Sequence, residues 1–313
     1  MILIIDFGSQ FNQLIARRVR EKEVYCQIIP PAMLTKEYVD NLKPEGIILS
    51  GGPASIYDAH SPKVEPWVFD LGIPVLGICY GLQVMISTLG GTVERSDKRE
   101  YGFAELSVTD HADLFKDVDA VTHCWMSHGD SITALPEGFV GTAKTDNTPY
   151  AAASNRERRL YGLQFHPEVE HTEKGREILS SFVFDICGCK KTWTMKSFAK
   201  NAIDEIRNTV GDKKVILGLS GGVDSSVAAL LIHKAIGRHL TCIYVDNGLM
   251  RKNESEILKE TLSRHLDMDI RFVDASDDFL TPLAGVTDPE KKRKIIGRVF
   301  IEVFDREAAK IED

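Results

Sequence analysis

Three short segments in the first half of the chain hold side chains whose types and spacing could do nucleophilic chemistry. Val75-Leu76-Gly77-Ile78-Cys79-Tyr80-Gly81-Leu82-Gln83 sets a cysteine between two glycines. An apolar run ahead and a helical pattern behind read as a strand, a tight turn and a helix, with Cys79 pushed out at a strained angle. The helix beginning just after Cys79 turns its positive end toward the sulfur, which favours the thiolate. The competing reading is an inert thiol packed at a glycine-rich turn. Gly162-Leu163-Gln164-Phe165-His166-Pro167-Glu168 ends another apolar run with an imidazole and a carboxylate two residues apart. A base needs one ring nitrogen facing the nucleophile and the other held by an orienting group, and Glu168 can do the holding. His128, in Trp125-Met126-Ser127-His128-Gly129-Asp130, competes for the base role; His166 is preferred because its carboxylate lies beside it at a strand end. The third segment, Ile47-Ile48-Leu49-Ser50-Gly51-Gly52-Pro53, runs from a strand into glycines. Unhindered N–H groups there, with the amide after Cys79, could hold an oxyanion, and one such donor is typically worth ~10²–10³ in rate.

The second half carries a different chemistry. Leu217-Gly218-Leu219-Ser220-Gly221-Gly222-Val223-Asp224-Ser225-Ser226 again follows a strand pattern and precedes a helical one. Glycines let backbone amides point inward at an anion, hydroxyls add donors, and a helix N-terminus adds a favourable dipole. Asp224 can hold Mg²⁺ bridging phosphates. A Ser/Gly linker is the weaker reading, because linkers do not sit between an apolar strand and an Ala/Leu-rich helix. The loop is not a Walker A, since no lysine follows the glycines. Val245-Asp246-Asn247-Gly248-Leu249-Met250-Arg251 ends the next strand, where ligands sit on such sheets. Leu283–Gly297 reads as a loop and then a basic helical start; Lys291–Lys294 alone is a solvated face, or beside an ATP site a lid whose cations meet phosphates.

The elements that must position these groups alternate. Apolar runs at Leu3–Ile5, Val24–Ile29, Gly46–Leu49 and Val75–Ile78 are separated by helical patterns near Gln10–Glu21, Thr35–Asn41, Pro62–Asp70 and Leu82–Leu89. Such alternation predicts an α/β domain with an open, mixed and mainly parallel sheet. From Glu105 to Phe165 the pattern turns to short strands, including Ala104–Val108, Ala151–Ser154 and Leu160–Phe165, before a helix near Glu173–Ile186. Thr192 is placed to cap a helix from about Trp193 to Val210. A second α/β series follows, with strands at Val215–Leu219, Leu240–Val245 and Ile270–Val273 and helices at Ser226–Ile236 and Asn253–His265. This second domain is a partial Rossmann-like parallel sheet. The expected division is 1–189 and 190–313, the second part opening on the long helix.

A length of 313 residues suits two domains, and 43% hydrophobic with 27% charged residues is ordinary for a globular chain. Net charge is −8, which argues against a general nucleic-acid surface but not against a local pocket for a small anion. The six cysteines form no CxxC pair, so reduced thiols are expected, at most one of them chemically active. The apolar start Met1–Ile5 lacks a basic n-region and meets Asp6 at once, so it reads as a buried strand; a cytoplasmic location and no membrane partner are the expectation.

Residues 1–187, including Asp6-Phe7-Gly8-Ser9-Gln10, closely resemble the class I (triad) glutamine amidotransferases. The resemblance implies that Cys79 attacks the side-chain amide of glutamine, with His166 as base and then acid and Glu168 orienting it. It implies an oxyanion hole from Gly52 and Tyr80, and contacts to the substrate amino acid from Gln83, Trp125, Ser127 and Asp130. Ser220-Gly221-Gly222-Val223-Asp224-Ser225-Ser226 resembles the PP-loop of the ATP pyrophosphatases, which adenylylate a substrate oxygen and let a nucleophile displace AMP. That order of domains, with Asp246–Arg251 and Gly285–Gly297, is similar to the glutamine-hydrolysing GMP synthetase family. The resemblance implies glutamine, ATP with Mg²⁺ and xanthosine monophosphate (XMP) as ligands, and a homodimer in complete members. Family members continue with a dimerisation module that supplies much of the XMP site. The ending Lys310-Ile311-Glu312-Asp313 reads as a cut, so an N-terminal piece unable to complete GMP synthesis alone is expected. Two alternatives are another PP-loop amidotransferase and a glutaminase-like regulatory or binding protein.

Overall fold

The computed structural model describes residues 1–265 and 268–311, with side chains for all of these except 96–99 and 261–265. The chain forms two compact units, Met1–Thr194 and Met195–Asp313.

In the first unit the elements run β1 (Ile2–Ile5), α1 (Asn12–Arg20), β2 (Cys26–Ile29), α2 (Lys36–Leu42), β3 (Gly46–Leu49), β4 (Val75–Ile78), α3 (Tyr80–Thr88), β5 (Thr92–Val108), β6 (Val121–Ala134), β7 (Val140–Lys144), β8 (Ala152–Asn155), β9 (Leu160–Leu163) and α4 (Gly175–Ser180). One nine-stranded sheet has the order β2-β1-β3-β4-β9-β8-β7-β5-β6. Its first five strands are mutually parallel, and only β8 and β5 run against the rest. The sheet is therefore mixed and mainly parallel.

β1, β3 and β4 are apolar at every position but Gly46 and Gly77 because both sheet faces are covered. Successive side chains alternate between two cores. Ile2, Ile4, Ile48, Leu76 and Ile78 pack with Ile15 and Val19 of α1 and Ile178 and Leu179 of α4. Leu3, Ile5, Ile47, Leu49 and Val75 pack with Val39 of α2 and Leu82, Val84 and Met85 of α3. α3 is buried along most of its length, which explains why it is almost free of charge.

Several elements differ from the pattern-based expectation. The helix expected near 62–70 is a single 3₁₀ turn, Pro66–Asp70. Pro62 and Pro66 remove amide donors, and Gly72 at φ +72° ends the segment. The short strand expected at 104–108 is the end of a long β5, which pairs with β6 in a 17- and 14-residue hairpin. The charged run Glu94–Glu100 hides the strand, and the register shifts between Arg95 and Glu100. The helix expected at 173–186 ends as α-helix at Ser180 and continues as a π-helical turn, Ser181–Ile186. Thr192 caps nothing: its N–H and that of Trp193 donate to the Glu23 carbonyl at 3.0 and 2.8 Å.

The second unit runs α5 (Met195–Val210), β10 (Val215–Gly218), α6 (Val223–Ile236), β11 (Leu240–Asp246), α7 (Glu254–His265), β12 (Asp269–Asp274), α8 (Ser276–Leu283) and α9 (Pro289–Ala308). Its sheet is β10-β11-β12, all parallel. Central β11 alternates between two small cores, Ile243 and Val245 packing with Phe279, Val299 and Val303, and Cys242 with Leu219 and Ala229. α9 starts where Asp288 accepts the Lys291 N–H at 2.7 Å and Pro289 takes the first helical position. Lys291–Lys294 are all exposed on its first turns. Helix α8 was not legible in the sequence, because Pro282 sits inside it. Of the ending Lys310–Asp313, Glu312 and Asp313 lie outside the described residues.

All six cysteines are free thiols. No helix among the described residues is long and apolar enough to cross a membrane.

Candidate active site

Cys79 sits at the N-cap of α3 with φ +51° and ψ −107°, a region that an L-residue enters only at a cost of about 1–3 kcal/mol. The flanking glycines explain how the turn closes. A Cβ on Gly77 would lie 2.7 Å from the Leu82 backbone, and one on Gly81 2.3 Å from the Leu49 carbonyl oxygen. Only bare backbone lets β3, β4 and α3 approach this closely. The Cys79 N–H is tied to the Leu163 carbonyl at 2.7 Å, which anchors the turn to β9.

β9 leads directly to His166, whose Nδ1 lies 2.7 Å from Glu168 Oε1. Glu168 is fully buried and His166 is 4% exposed. Burial pulls the imidazole toward neutrality, but the Glu168 carboxylate and the adjacent Cys79 sulfur outweigh it and push the value from 6.5 up to about 10. Glu168 holds one ring nitrogen, and the Cys79 sulfur lies close enough to the ring to help hold its positive charge. His128 is also buried, but its Nδ1 faces the Asp130 carbonyl at 3.0 Å. Its Nε2 lies 3.4 Å from Thr148 Oγ1 and 3.7 Å from Glu100. Both ring nitrogens of His128 are thus engaged elsewhere, whereas His166 pairs with a carboxylate and shares the lining of a cavity with Cys79.

Two cavities open onto Cys79. One, of about 500 Å³, is lined by Gly52, Pro53, Ser55, Tyr80, Gln83, Arg95, Tyr101, Ser127, His128 and Asp130 among others. The other, of about 290 Å³, is lined by Gly8–Phe11, Gly52, Ser127 and His166. The Tyr80 amide opens α3 and so has no intrahelical acceptor. Gly52 packs against Phe7 and Tyr80, where a Cβ would fall 2.8 Å from the Phe7 carbonyl.

Gln83 donates to the Asp130 carbonyl at 3.0 Å, and Asp130 Oδ2 accepts from Ser55 at 2.6 Å. Trp125 is placed differently from its neighbours Ser127 and Asp130. It lines neither cavity; its ring packs on His171 with centroids 4.6 Å apart, and its carbonyl accepts the His166 N–H at 3.1 Å. Three supporting residues carried no sequence signal. Thr172 donates to the His166 carbonyl at 2.6 Å. Gln164 reaches Cys79 Sγ at 3.8 Å. Arg18, buried on α1, donates to the Glu168 carbonyl at 3.0 Å and so holds the carboxylate-bearing loop.

In the second unit Ser220–Ser226 wraps the start of α6. The Ser220 N–H donates to Ser225 Oγ at 3.2 Å, Ser226 Oγ donates to the Gly222 carbonyl at 2.9 Å, and Gly221 takes φ +77°. Asp224 is exposed in the first turn of the helix. A cavity of about 320 Å³ beside the loop is lined by Ser220, Gly221, Met250, Arg251, Lys252, Glu254, Ile257 and Leu258.

The family model of glutamine amidotransferase class-I matches residues 3–186. The chain belongs to the class-I glutamine amidotransferases. A second model, NAD synthase, matches residues 195–284. This amidotransferase chain is similar along its whole length to curated proteins named GMP synthase [glutamine-hydrolyzing]. It is 54% identical to that of Brachyspira hyodysenteriae over 312 residues, covering 100% of this chain and 60% of the relative. The Limosilactobacillus reuteri protein is 55% identical over 313 residues, with 60% of it covered. The chain thus spans about 60% of the length of these relatives. Among solved structures, a protein from Thermoplasma acidophilum described as one component of a GMP synthase is 28% identical with a TM-score of 0.52. The match covers 60% of this chain and 93% of that protein.

Proposed function

We propose that the chain is the glutamine-hydrolysing part, and the beginning of the ATP-using part, of a GMP synthetase. The observation that carries this reading is the buried Cys79–His166–Glu168 arrangement, with 2.7 Å between imidazole and carboxylate, on a chain 54% identical to named GMP synthases.

Cys79 attacks the γ-carboxamide carbon of glutamine as the thiolate, and the Gly52 and Tyr80 amides receive the oxyanion. His166, already carrying a proton, donates it to the departing ammonia as the tetrahedral intermediate collapses to a γ-glutamyl thioester. The now neutral imidazole takes a proton from water, which attacks the thioester and releases glutamate. Glu168 keeps the Nδ1 proton in place throughout. Gln83, Ser127 and Asp130 line the space that the rest of glutamine fills; Trp125 supports the site from behind, through its carbonyl, which accepts the His166 N–H.

The loop of the second unit fits a nucleotide polyphosphate. The open N-terminal turn of α6, Ser220, Gly221, Gly222, Val223, Ser225 and Ser226 would face it, and Asp224 would hold Mg²⁺. Bound ATP with Mg²⁺ supplies the activation that lets ammonia replace an oxygen of XMP. Arg251 and Lys252 add positive charge beside the loop. A homodimeric complete protein acting in the cytoplasm is part of the same proposal.

The test has two arms. A chloroketone analogue of glutamine should label Cys79 stoichiometrically and faster than a plain chloroketone; no preference would sink the glutaminase reading. The full-length parent, given glutamine and ATP-Mg²⁺, should release pyrophosphate and form product with XMP. The match of residues 195–284 to NAD synthase favours a second reading, in which the acceptor is another nucleotide. Pyrophosphate release with other acceptors and none with XMP would establish that alternative.

A further inference from the structure

Arg95 lies directly across the β5–β6 ladder from Asp130, so the two side chains rise from the same face of neighbouring strands about 5 Å apart. Both line the larger cavity at Cys79. Opposite charges placed this way would ordinarily pair, yet among the described residues no ion pair joins them. Asp130 turns one carboxylate oxygen to Ser55 at 2.6 Å, and the Arg95 guanidinium sits 5.9 Å over the Tyr57 ring. Tyr57 is itself fixed by a hydrogen bond from its hydroxyl to the Val93 carbonyl. Arg95 is the only lysine or arginine lining that cavity among the described residues. The cavity therefore presents one anion and one cation, held apart, and His166 is not part of its lining.

A free amino acid carries an ammonium and a carboxylate on one carbon. Resting on the proposed glutaminase function, we propose that Arg95 receives the α-carboxylate of glutamine while Asp130 receives its α-ammonium. The pair thereby selects the free amino acid over glutamine within a peptide or with a blocked carboxylate. A guanidinium suits this role because it offers a planar two-donor edge to a carboxylate. Arg95 is a substrate-binding residue in this scheme, remote from the bond that breaks.

The experiment compares L-glutamine with L-glutaminamide, which lacks only the carboxylate charge, by calorimetric titration of the 313-residue chain carrying Cys79→Ala. Glutamine should bind about tenfold more tightly, the contribution expected of one charge-assisted hydrogen bond at a part-exposed site. Adding Arg95→Met should bring the two affinities within about twofold, and Arg95→Lys should keep most of the preference. An unchanged preference in Arg95→Met would overturn the role of Arg95 and leave the glutaminase reading intact. Failure of the Cys79→Ala chain to bind either ligand would overturn both.

Discussion

Replacing Glu168 by Gln isolates one charge. The amide keeps an oxygen that can accept from His166 Nδ1, so the geometry at 2.7 Å can persist while the negative charge goes. With the charges about 4 Å apart and an effective dielectric near 20, that carboxylate contributes about 4 kcal/mol to the imidazolium. This corresponds to about a thousandfold in the protonation equilibrium. His166 should then titrate near 7 or lower in place of about 10, because burial opposes its charge once Glu168 is neutral. Long-range proton–nitrogen NMR of the ring reports this directly: at pH 8.5 the wild type shows imidazolium and Glu168→Gln shows neutral imidazole. The same charge appears in stability. A histidine raised on folding stabilises the fold fully below pH 6.5 and loses that contribution as pH rises through about 10. The wild type should lose up to about 4 kcal/mol across this window, and Glu168→Gln should be nearly flat through it. An imidazolium surviving at pH 8.5 in the variant would refute the assignment of Glu168 as its electrostatic partner.

Three further outcomes follow from the geometry. Gly81→Ala places a Cβ 2.3 Å from the Leu49 carbonyl oxygen and should cost about 3 kcal/mol in thermal or denaturant unfolding. Gly297→Ala meets no atom within 4 Å in the middle of α9, and should stabilise the second unit by about 0.5–1 kcal/mol in the same assay. Asp224→Asn should weaken ATP binding at least tenfold in the presence of Mg²⁺ and little in its absence, measured by calorimetry; equal losses in both would remove Asp224 from metal binding.

The parallel half of the first unit was legible because buried strands leave unbroken apolar runs, as in Leu3–Ile5 and Gly46–Leu49. The turn around Cys79 was legible because close backbone approach demands glycine at fixed places, Gly77 and Gly81. The long hairpin was not, because β5 carries Glu94, Arg95, Glu100 and Glu105 along an open part of the sheet, and polar residues blur its period. The same blurring hid Arg95, which acquires meaning only when the ladder sets it opposite Asp130. Thr172, Gln164 and Arg18 were invisible for a different reason. Each acts on a neighbour that its own local pattern does not announce, Arg18 on a carbonyl 150 residues away. Trp125 shows the converse: a motif neighbour of Ser127 and Asp130 whose ring turns toward His171.

The division of the large sheet has an evolutionary consequence. The groups proposed to break the amide bond stand at the ends of β4 and β9, in the parallel half, while Ser127, Asp130 and Arg95 stand on β5 and β6 at the antiparallel edge. An edge hairpin can be lengthened, shifted in register or resurfaced without disturbing strands buried on both faces. Preference for one amide donor over another can therefore drift while the reactive machinery stays fixed, so that new selectivity arises from an old catalyst by remodelling a margin of the fold.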